Sequence, residues 1–477
     1  MVPNLIFYKL LLVALLWLCF LLHVLWPNER AATGPTSPKP TPPPRKRSQE
    51  PKLLTGLIHK PLCDACQQAT DFHPKALGAP PPLITYTRGR KRSIDTQQQF
   101  CPKQNCAYYG WLGRGNIRSN GHPGGQPWRQ LQCVSCHGYV YETHGTIFHG
   151  KRVSADLIVR VIACLAEGLG IRGTARVFEV APNSVLQWLV EAADQLRAFS
   201  VYFLHDLHLT QVQLDELYVV LSALKEGTVS EDEAITRLSR SPQWVWTAMD
   251  PESKLLLAMD VGERTLAMAQ RVVHQVVQII APDCAPLFLT DGFKEYATAL
   301  LTHYGQWVQP PRRQTTGPTS KPRWMPLPGL LYAQVIKTVR RRRLVRVSHR
   351  VVFGTLDAVQ HVLAPFGWQI QTAFVERLNL TIRQHVAAVG RRVSTLCKGE
   401  DGVRHQLALY SVYYNFCLPH ASLRQPLPQP VLTHGTGSAK QWQPCTPAMA
   451  AGLTDRVWSL REVLMFRVPP WPQPQAL

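Results

Sequence analysis

The spacing of apolar positions changes character along the chain, and each change predicts a different element. Leu10 to Trp26 is an apolar run of 17 residues broken only by His23. At ~1.5 Å per residue such a helix barely reaches across a ~30 Å hydrocarbon core. It reads as a short membrane anchor or as a peripheral extension, because hydrophobic period does not separate the two. From Ser154 the pattern turns helical, with Leu157, Val161, Cys164 and Leu165 on one face. Gly168 and Gly170 break it, and the following GIRGTARVFEVAPNSVLQWLVEAADQL reads as helix, tight turn, helix. Ala175, Val177 and Phe178 are expected beneath the turn at Glu179 to Pro182, and the second helix is expected to open at Asn183 or Ser184, both good N-caps.

Beyond residue 211 the period shortens. Val212 to Val220 is a β-branched, apolar strand with acids at its centre, and Trp244 to Met249 with Leu255 to Val261 form a hairpin about Asp250-Pro251-Glu252-Ser253. Arg264 to Ile280 is an amphipathic helix entered at Thr265, and Pro286 to Thr290 is a short buried strand ending at Asp291. Strand, hairpin, helix, strand, helix predicts an α/β fold with a mixed sheet. A Pro-rich break (Gln309 to Gly329), a very basic stretch, a helix from about Thr355 and a final helix carrying FVERLNLTIRQHV follow.

Length and composition sharpen this picture. At ~100 to 200 residues per domain, 477 residues make about three folding units. The boundaries drawn are 1–26, a hydrophobic segment; 27–100, a Pro-rich basic linker; 101–150, a small zinc-ribbon-like module; 151–200, an all-α helix-turn-helix domain; 201–425, the α/β domain; and 426–477, a Pro-rich tail. With 45% hydrophobic residues, 13 Trp, 14 Tyr and 15 Phe, the chain is not an intrinsically disordered one. Lys plus Arg number 52 against 31 acids, a net charge of +21, which calls for a polyanionic partner: DNA, RNA or an anionic membrane surface. The short string Arg88-Gly89-Arg90-Lys91-Arg92 suits a narrow minor groove or is simply a solvated linker.

Twelve cysteines are too sparse for a disulfide scaffold. Cys101-x4-Cys106 and Cys133-x2-Cys136 offer four thiolates from two knuckles, a set that suits tetrahedral zinc and would tie down a Gly-rich segment poor in aliphatics. Cys63 and Cys66, with His59 and His73 nearby, make only one pair. In the helix-turn-helix, the polar Asn183, Ser184 and Gln187 in the first turns of the second helix are placed to read the major groove, against the plainer reading of two packed helices with a polar outer face.

Two carboxylates sit where chemistry needs them. Asp215 lies mid-strand in an apolar setting, and Asp291 ends a strand at the edge where open α/β sheets place ligands. A buried carboxylate requires a cation, which a divalent metal supplies and an ordinary salt bridge supplies equally. Downstream, Glu376, Asn379 or Leu380, and Arg383 fall at spacings of three, four and seven on one helix face, so that Glu376 faces the same way as an arginine able to hold a phosphate. Lys337 and Arg340 to Arg343 are a solvated basic face unless a polyanion lies against them.

The run ERLNLTIRQHVAAVGRR, TDGF around Asp291, LDE around Asp215, VGERT at Val261 to Thr265 and the zinc-plus-helix-turn-helix front end together resemble the transposases of the insertion sequence 1 family, over about residues 101 to 420. The resemblance implies an RNase H-like catalytic domain whose Asp, Asp, Glu triad is Asp215, Asp291 and Glu376, with Arg383 at the basic position after the Glu. It implies Mg²⁺ or Mn²⁺ at those carboxylates, Asp215 bridging two ions, and structural Zn²⁺ at Cys101, Cys106, Cys133 and Cys136. DNA is the partner implied: terminal inverted repeats read by the front end, target DNA, and phosphates touched by Lys337, Arg340, Arg341, Arg342 and Arg343, all within a homodimer or larger assembly. The chain is then expected in the cytoplasm with the nucleoid, held to the membrane only if residues 10–26 insert. The sequence departs from the compact family pattern at Ser222 to Pro242, at the 85-residue gap from Asp291 to Glu376, and at both termini. Two other readings stand: a membrane-anchored DNA-binding regulator with an inactive α/β domain, and an RNase H-like nuclease without strand transfer.

Overall fold

A computed structural model describes residues 80–85, 96–125, 127–219, 243–309, 321–341, 343–390, 399–431 and 438–470. The hydrophobic run 10–26, the Cys63/Cys66 pair with His59 and His73, the string 88–92, and Arg342 lie outside them. No helix among the described residues is long and apolar enough to cross a membrane.

The first folded segment is a three-stranded antiparallel sheet of β1 (Ile117–Ser119), β2 (Gln130–Cys133) and β3 (Tyr139–Tyr141). It has a small core of its own, Tyr108, Ile117, Leu131 and Val140 together with Cys101, Cys106 and Cys133. Helices α1 (Ala155–Ala166), α2 (Ile171–Val177) and α3 (Pro182–Phe203) follow. Ser154 caps α1 by accepting from Leu157 N. The opening of α3 differs from the sequence expectation: Ala181 is the N-cap, and Asn183 and Ser184 lie inside the first turn. Pro182 decides this, because its fixed φ and missing N–H suit the first helical position. Val177 also departs from expectation, since it is 65% exposed while Ala175 is buried beneath the turn.

The central element is a six-stranded mixed sheet in the order β11-β10-β7-β4-β5-β6. Its strands are β4 (Gln211–Val219), β5 (Gln243–Met249), β6 (Leu256–Gly262), β7 (Leu287–Asp291), β10 (Leu331–Arg340) and β11 (Arg343–Phe353). β4, β7 and β10 run parallel to one another, and the remaining pairs are antiparallel. Between them lie α4 (Leu266–Ile279), capped by Thr265, α5 (Glu295–Tyr304) and the small ribbon of β8 (Gly305–Val308) with β9 (Arg323–Pro326). After the sheet come α6 (Leu356–Leu363), capped by Thr355, α7 (Ala373–His385) and α8 (Glu400–Val412). Val375, Leu378 and Ile382 of α7 share an apolar cluster with Leu217, Val245 and Val261 of the sheet. That contact seats α7 on the sheet face where the candidate acids lie.

The helices before the sheet are not cored separately. Val185, Leu189, Leu196 and Phe199 of α3 belong to one apolar cluster with Val212, Leu214, Trp246 and Phe288 of the sheet. The stretch after residue 425, Pro-rich by composition, joins the same cluster. It holds β12 (Gln425–Val431), β13 (Lys440–Gln443), α9 (Pro447–Ala450) and α10 (Leu460–Met465). The Phe199 ring lies 5.6 Å from Trp458 and 5.4 Å from Phe466, both edge-on, the preferred geometry for aromatic pairs. Arg467, 2% exposed, then donates to His144 O and Gln99 Oε1, each at 2.8 Å, so the C-terminal segment ties the cysteine module to the body.

Candidate active site

Strand register brings the two aspartates together. β4 and β7 are parallel neighbours with Leu214 opposite Thr290, so the next residues, Asp215 and Asp291, are adjacent at the carboxyl end of β7. α7 crosses this edge. Asn379 on α7 donates from Nδ2 to Asp215 Oδ2 at 2.9 Å and accepts from the Thr247 hydroxyl at 3.0 Å. Asp215 Oδ1 accepts from the backbone N–H of Glu216 at 2.9 Å, and Asp291 Oδ1 accepts from Phe293 N at 2.9 Å. Both aspartates are therefore fixed by local donors before any ligand is considered.

Glu376 stands one turn before Asn379 on α7. Its carboxylate is paired with the Lys337 ammonium and accepts from the Thr372 hydroxyl at 2.6 Å. The oxygens that gather within 4.8 Å of one another belong to Asp215, Glu216 and Asp291 instead. The structure thus joins Asp215 and Asp291, holds Glu376 close enough to act on Asp215 electrostatically, and leaves Glu376 outside the tightest group. Lys337, expected to touch phosphate, is engaged by Glu376 because β10 carries it past Asp291 on the neighbouring strand, where Val335 pairs with Asp291. Arg383 lies half-buried about two turns along α7 from Glu376.

Two residues of the site were not singled out by the sequence. Glu216 is 9% exposed, and Arg264 bridges it to Asp291, with Nη2 2.9 Å from Glu216 Oε2 and 3.3 Å from Asp291 Oδ2. The guanidinium sits over the Phe293 ring at 4.3 Å and the Trp244 ring at 5.2 Å, which fixes its plane. Both residues stood inside quoted motifs, LDE and VGERT. Strand alternation turns Glu216 to the face opposite Asp215, so a period-two reading gives it no part with its neighbour.

The electrostatics are those of crowded negative charge. Burial, and then the Asp291 charge, push the Asp215 carboxyl up from 3.8 to about 6, with Glu376 adding to the rise and Lys337 opposing it. Burial and Asp291 likewise push Glu216 from 4.5 to about 7 against the pull of Arg264. Two cations thus do not fully offset the carboxylates at this edge. A hard divalent cation fits such an all-oxygen donor set, which Asp215, Glu216 and Asp291 offer within 4.8 Å of one another.

The cysteines form a second group suited to metal. Cys101 Sγ and Cys136 Sγ are 3.6 Å apart, Cys106 Sγ and Cys133 Sγ are 3.9 Å apart, and all four atoms lie within 4.8 Å of one another. Tetrahedral zinc with ~2.3 Å bonds requires sulfur atoms ~3.8 Å apart. Tyr108 N and Asn116 Nδ2 point at Cys106 Sγ and Cys133 Sγ, at 3.4 and 3.5 Å, as donors to thiolate sulfur do.

Of the residues expected on DNA, the described ones are exposed except Ser184. Asn183 and Gln187 are exposed and Ser184 is half-buried in the first turns of α3. Gln187 is bonded to Glu191, which also pairs with Lys151, so this face carries its own polar network. Arg340, Arg341 and Arg343 are exposed where β10 turns into β11, and Arg341 takes a positive φ of 45° there.

No known protein family and no curated protein matches this chain. Seven solved chains match it. One belongs to the Mos1 strand transfer complex, 14% identical over 31% of this chain and 55% of that one, with a TM-score of 0.13. Another belongs to a pre-cleavage Mos1 transpososome, 14% identical over 32% of this chain and 59% of that one, with a TM-score of 0.13. The chain therefore spans less than two thirds of either. At that TM-score the likeness has no weight for the fold or the activity of this chain.

Proposed function

We propose that this chain is a DNA transposase of the Asp, Asp, Glu type, akin to the insertion sequence 1 family, which binds the terminal inverted repeats of an element and catalyses metal-dependent 3′-end cleavage and strand transfer. The observation that carries the reading is the adjacency of Asp215 and Asp291 on parallel strands, with α7 laid across them by the Asn379 hydrogen bond. A regulator that only bound DNA would gain nothing from burying carboxylates against one another at this cost.

Asp215, Asp291 and Glu376 would hold Mg²⁺ or Mn²⁺, which supplies charge neutralisation at phosphorus and a more acidic attacking hydroxyl. Asp215 is held in one orientation by Asn379 and by the Glu216 N–H. Arg264 keeps Asp291 and Glu216 from repelling one another before the cation arrives. Lys337 neutralises Glu376 in the same way and would lie beside it to meet a DNA phosphate. In the first step a water oxygen bonds to phosphorus and gives up a proton to solvent, while the bond from phosphorus to the 3′-oxygen breaks and that oxygen takes a proton from solvent to become a 3′-hydroxyl. In the second, the oxygen of the freed 3′-hydroxyl bonds to a target phosphorus as its proton passes to solvent, and a target 3′-oxygen leaves and takes up a proton from solvent.

Cys101, Cys106, Cys133 and Cys136 would hold zinc and keep the front module folded. Asn183, Ser184 and Gln187 on α3 read the element ends, while Arg340, Arg341, Arg342 and Arg343 touch phosphate. Joining two ends at one target calls for two subunits or more.

The test uses a DNA fragment carrying the gene with its native flanks, incubated with the purified chain and Mg²⁺ or Mn²⁺. Cleavage and joining at the element ends, abolished by Asp291→Asn while binding of the same DNA persists, is the expected result. Undiminished cleavage by Asp291→Asn would remove Asp291 from the chemistry.

A further inference from the structure

The oxygens that gather most tightly, those of Asp215, Glu216 and Asp291, already have a cation among them, and it belongs to the chain. Arg264 stands in the short turn between β6, which ends at Gly262, and α4, whose N-cap is Thr265, so its backbone is held from both sides. Its Nε and Nη2 both reach Glu216 Oε2, at 3.0 and 2.9 Å, and Nη2 is 3.3 Å from Asp291 Oδ2. Asp291 keeps its own orientation through Phe293 N. The guanidinium lies over the Phe293 and Trp244 rings, and Trp244 in turn packs edge-on against Tyr218, 5.3 Å away. A group with two bonds to a buried carboxylate does not swing aside freely, because its departure would strand the Glu216 charge in the interior.

This guanidinium fills the place that a second metal ion would need. An ion shared by Glu216 and Asp291 would sit ~2.1 Å from an oxygen of each. Nη2 already lies between those oxygens, within reach of both. The charges agree with the geometry. Ionised, Asp215, Glu216, Asp291 and Glu376 carry four negative charges, and their pairs with Arg264 and Lys337 answer two of them. What is left is the charge of one divalent ion. A second ion would leave two positive charges in excess, more than a single phosphodiester offsets, and would face the fixed guanidinium at close range.

We propose that Arg264 takes the place of a second metal ion, so that this chain uses a single divalent cation, held by Asp215, Asp291 and Glu376, where the resemblance implies a pair. The inference rests on the Asp, Asp, Glu reading and deepens it by setting the metal count. Arg264 is a positioning residue in this account: it holds Asp291 and supplies fixed positive charge on one side of the acids, leaving the side toward Glu376 for the ion.

The test counts Mn²⁺ on the full, zinc-loaded chain by equilibrium dialysis and records its electron paramagnetic resonance spectrum, with and without saturating duplex DNA. Two Mn²⁺ ions ~3.5 to 4 Å apart couple their spins, and a lone ion has no partner to couple with. The unaltered chain is expected to hold one uncoupled Mn²⁺ in both conditions. Arg264→Ala should hold two that are coupled, and Arg264→Ala combined with Glu216→Gln should return to one. A coupled pair in the unaltered chain, with or without DNA, would overturn the proposal, and this arm needs no variant to fold. An Arg264→Ala chain with an unchanged near-UV circular dichroism spectrum that still holds one uncoupled ion would overturn it as well. The two failures are distinct: a coupled pair sinks the single-ion site and leaves the parent reading standing, whereas no Mn²⁺ at all on the unaltered chain sinks the metal-dependent reading and the single-ion site with it.

Discussion

The side-chain amide of Asn379 donates to Asp215 Oδ2 at 2.9 Å while its oxygen accepts from Thr247. Because Asn379 is 6% exposed, this pair is shielded from water and fixes the rotation of α7 about its own axis. Glu376, three residues earlier, is set relative to Asp215 by the same bond.

Replacing Asn379 tests that linkage. Asn379→Leu leaves Asp215 and Thr247 without their shared partner and should cost about 1 to 3 kcal/mol of stability in denaturant unfolding. Asn379→Asp adds a negative charge against Asp215 and should move the pH dependence of divalent-cation binding upward. An Asn379→Leu variant as stable as the parent, with unaltered cation affinity, would show that the amide positions nothing.

The crowded carboxylates predict a pH effect of definite sign. The folded value of Asp215, about 6, lies above its unfolded value of 3.8, and that of Glu216, about 7, lies above 4.5. The stability these groups contribute is therefore complete below about pH 4 and is lost as pH rises through 6 to 7. Compared with the parent in the absence of divalent cations, Asp215→Asn should be more stable at pH 7.5 by roughly 1 to 3 kcal/mol and little different at pH 4. Millimolar Mg²⁺ should stabilise the parent at pH 7.5 and leave the variant unaffected. A difference between parent and variant that does not change with pH would mean that Asp215 is not strained by its neighbours.

The cysteine module gives a metal count. Cys101→Ser combined with Cys133→Ser should lower bound zinc by one equivalent relative to the parent, measured by elemental analysis. Because Arg467 ties this module to the body through Gln99 and His144, the loss should also lower the unfolding midpoint. An unchanged zinc content would remove the Cys101, Cys106, Cys133 and Cys136 site.

How much of this is legible in the sequence follows from how local each signal is. The β5–β6 hairpin and the caps at Thr265 and Thr355 are, because alternation and capping act over a few residues. The N-cap of α3 lies two residues earlier than Asn183 suggests, because Pro182 outranks the capping side chains of Asn183 and Ser184. Glu216 and Arg264 are not assignable from sequence, since their partnership depends on which strand lies beside β4 and on the turn that follows β6. The buried Trp458, Leu460, Val463 and Leu464 are hidden by the prolines around them, because composition averages over the very residues that enter the core. Glu376 is legible as part of a helix face, while its pairing with Lys337 belongs to the β10 register alone.

We propose that Glu376, and not Glu216, is the third carboxylate working with Asp215 and Asp291. The most direct measurement sets Glu376→Gln beside Glu216→Gln in Mg²⁺-dependent cleavage of DNA carrying the element ends. Glu376→Gln should lose more than about a hundredfold, beyond the ~10- to 100-fold carried by outer partners of a metal site, whereas Glu216→Gln should lose less than that. The reverse order, with Glu216→Gln inactive and Glu376→Gln cleaving normally, would contradict the account and move the metal to Asp215, Glu216 and Asp291.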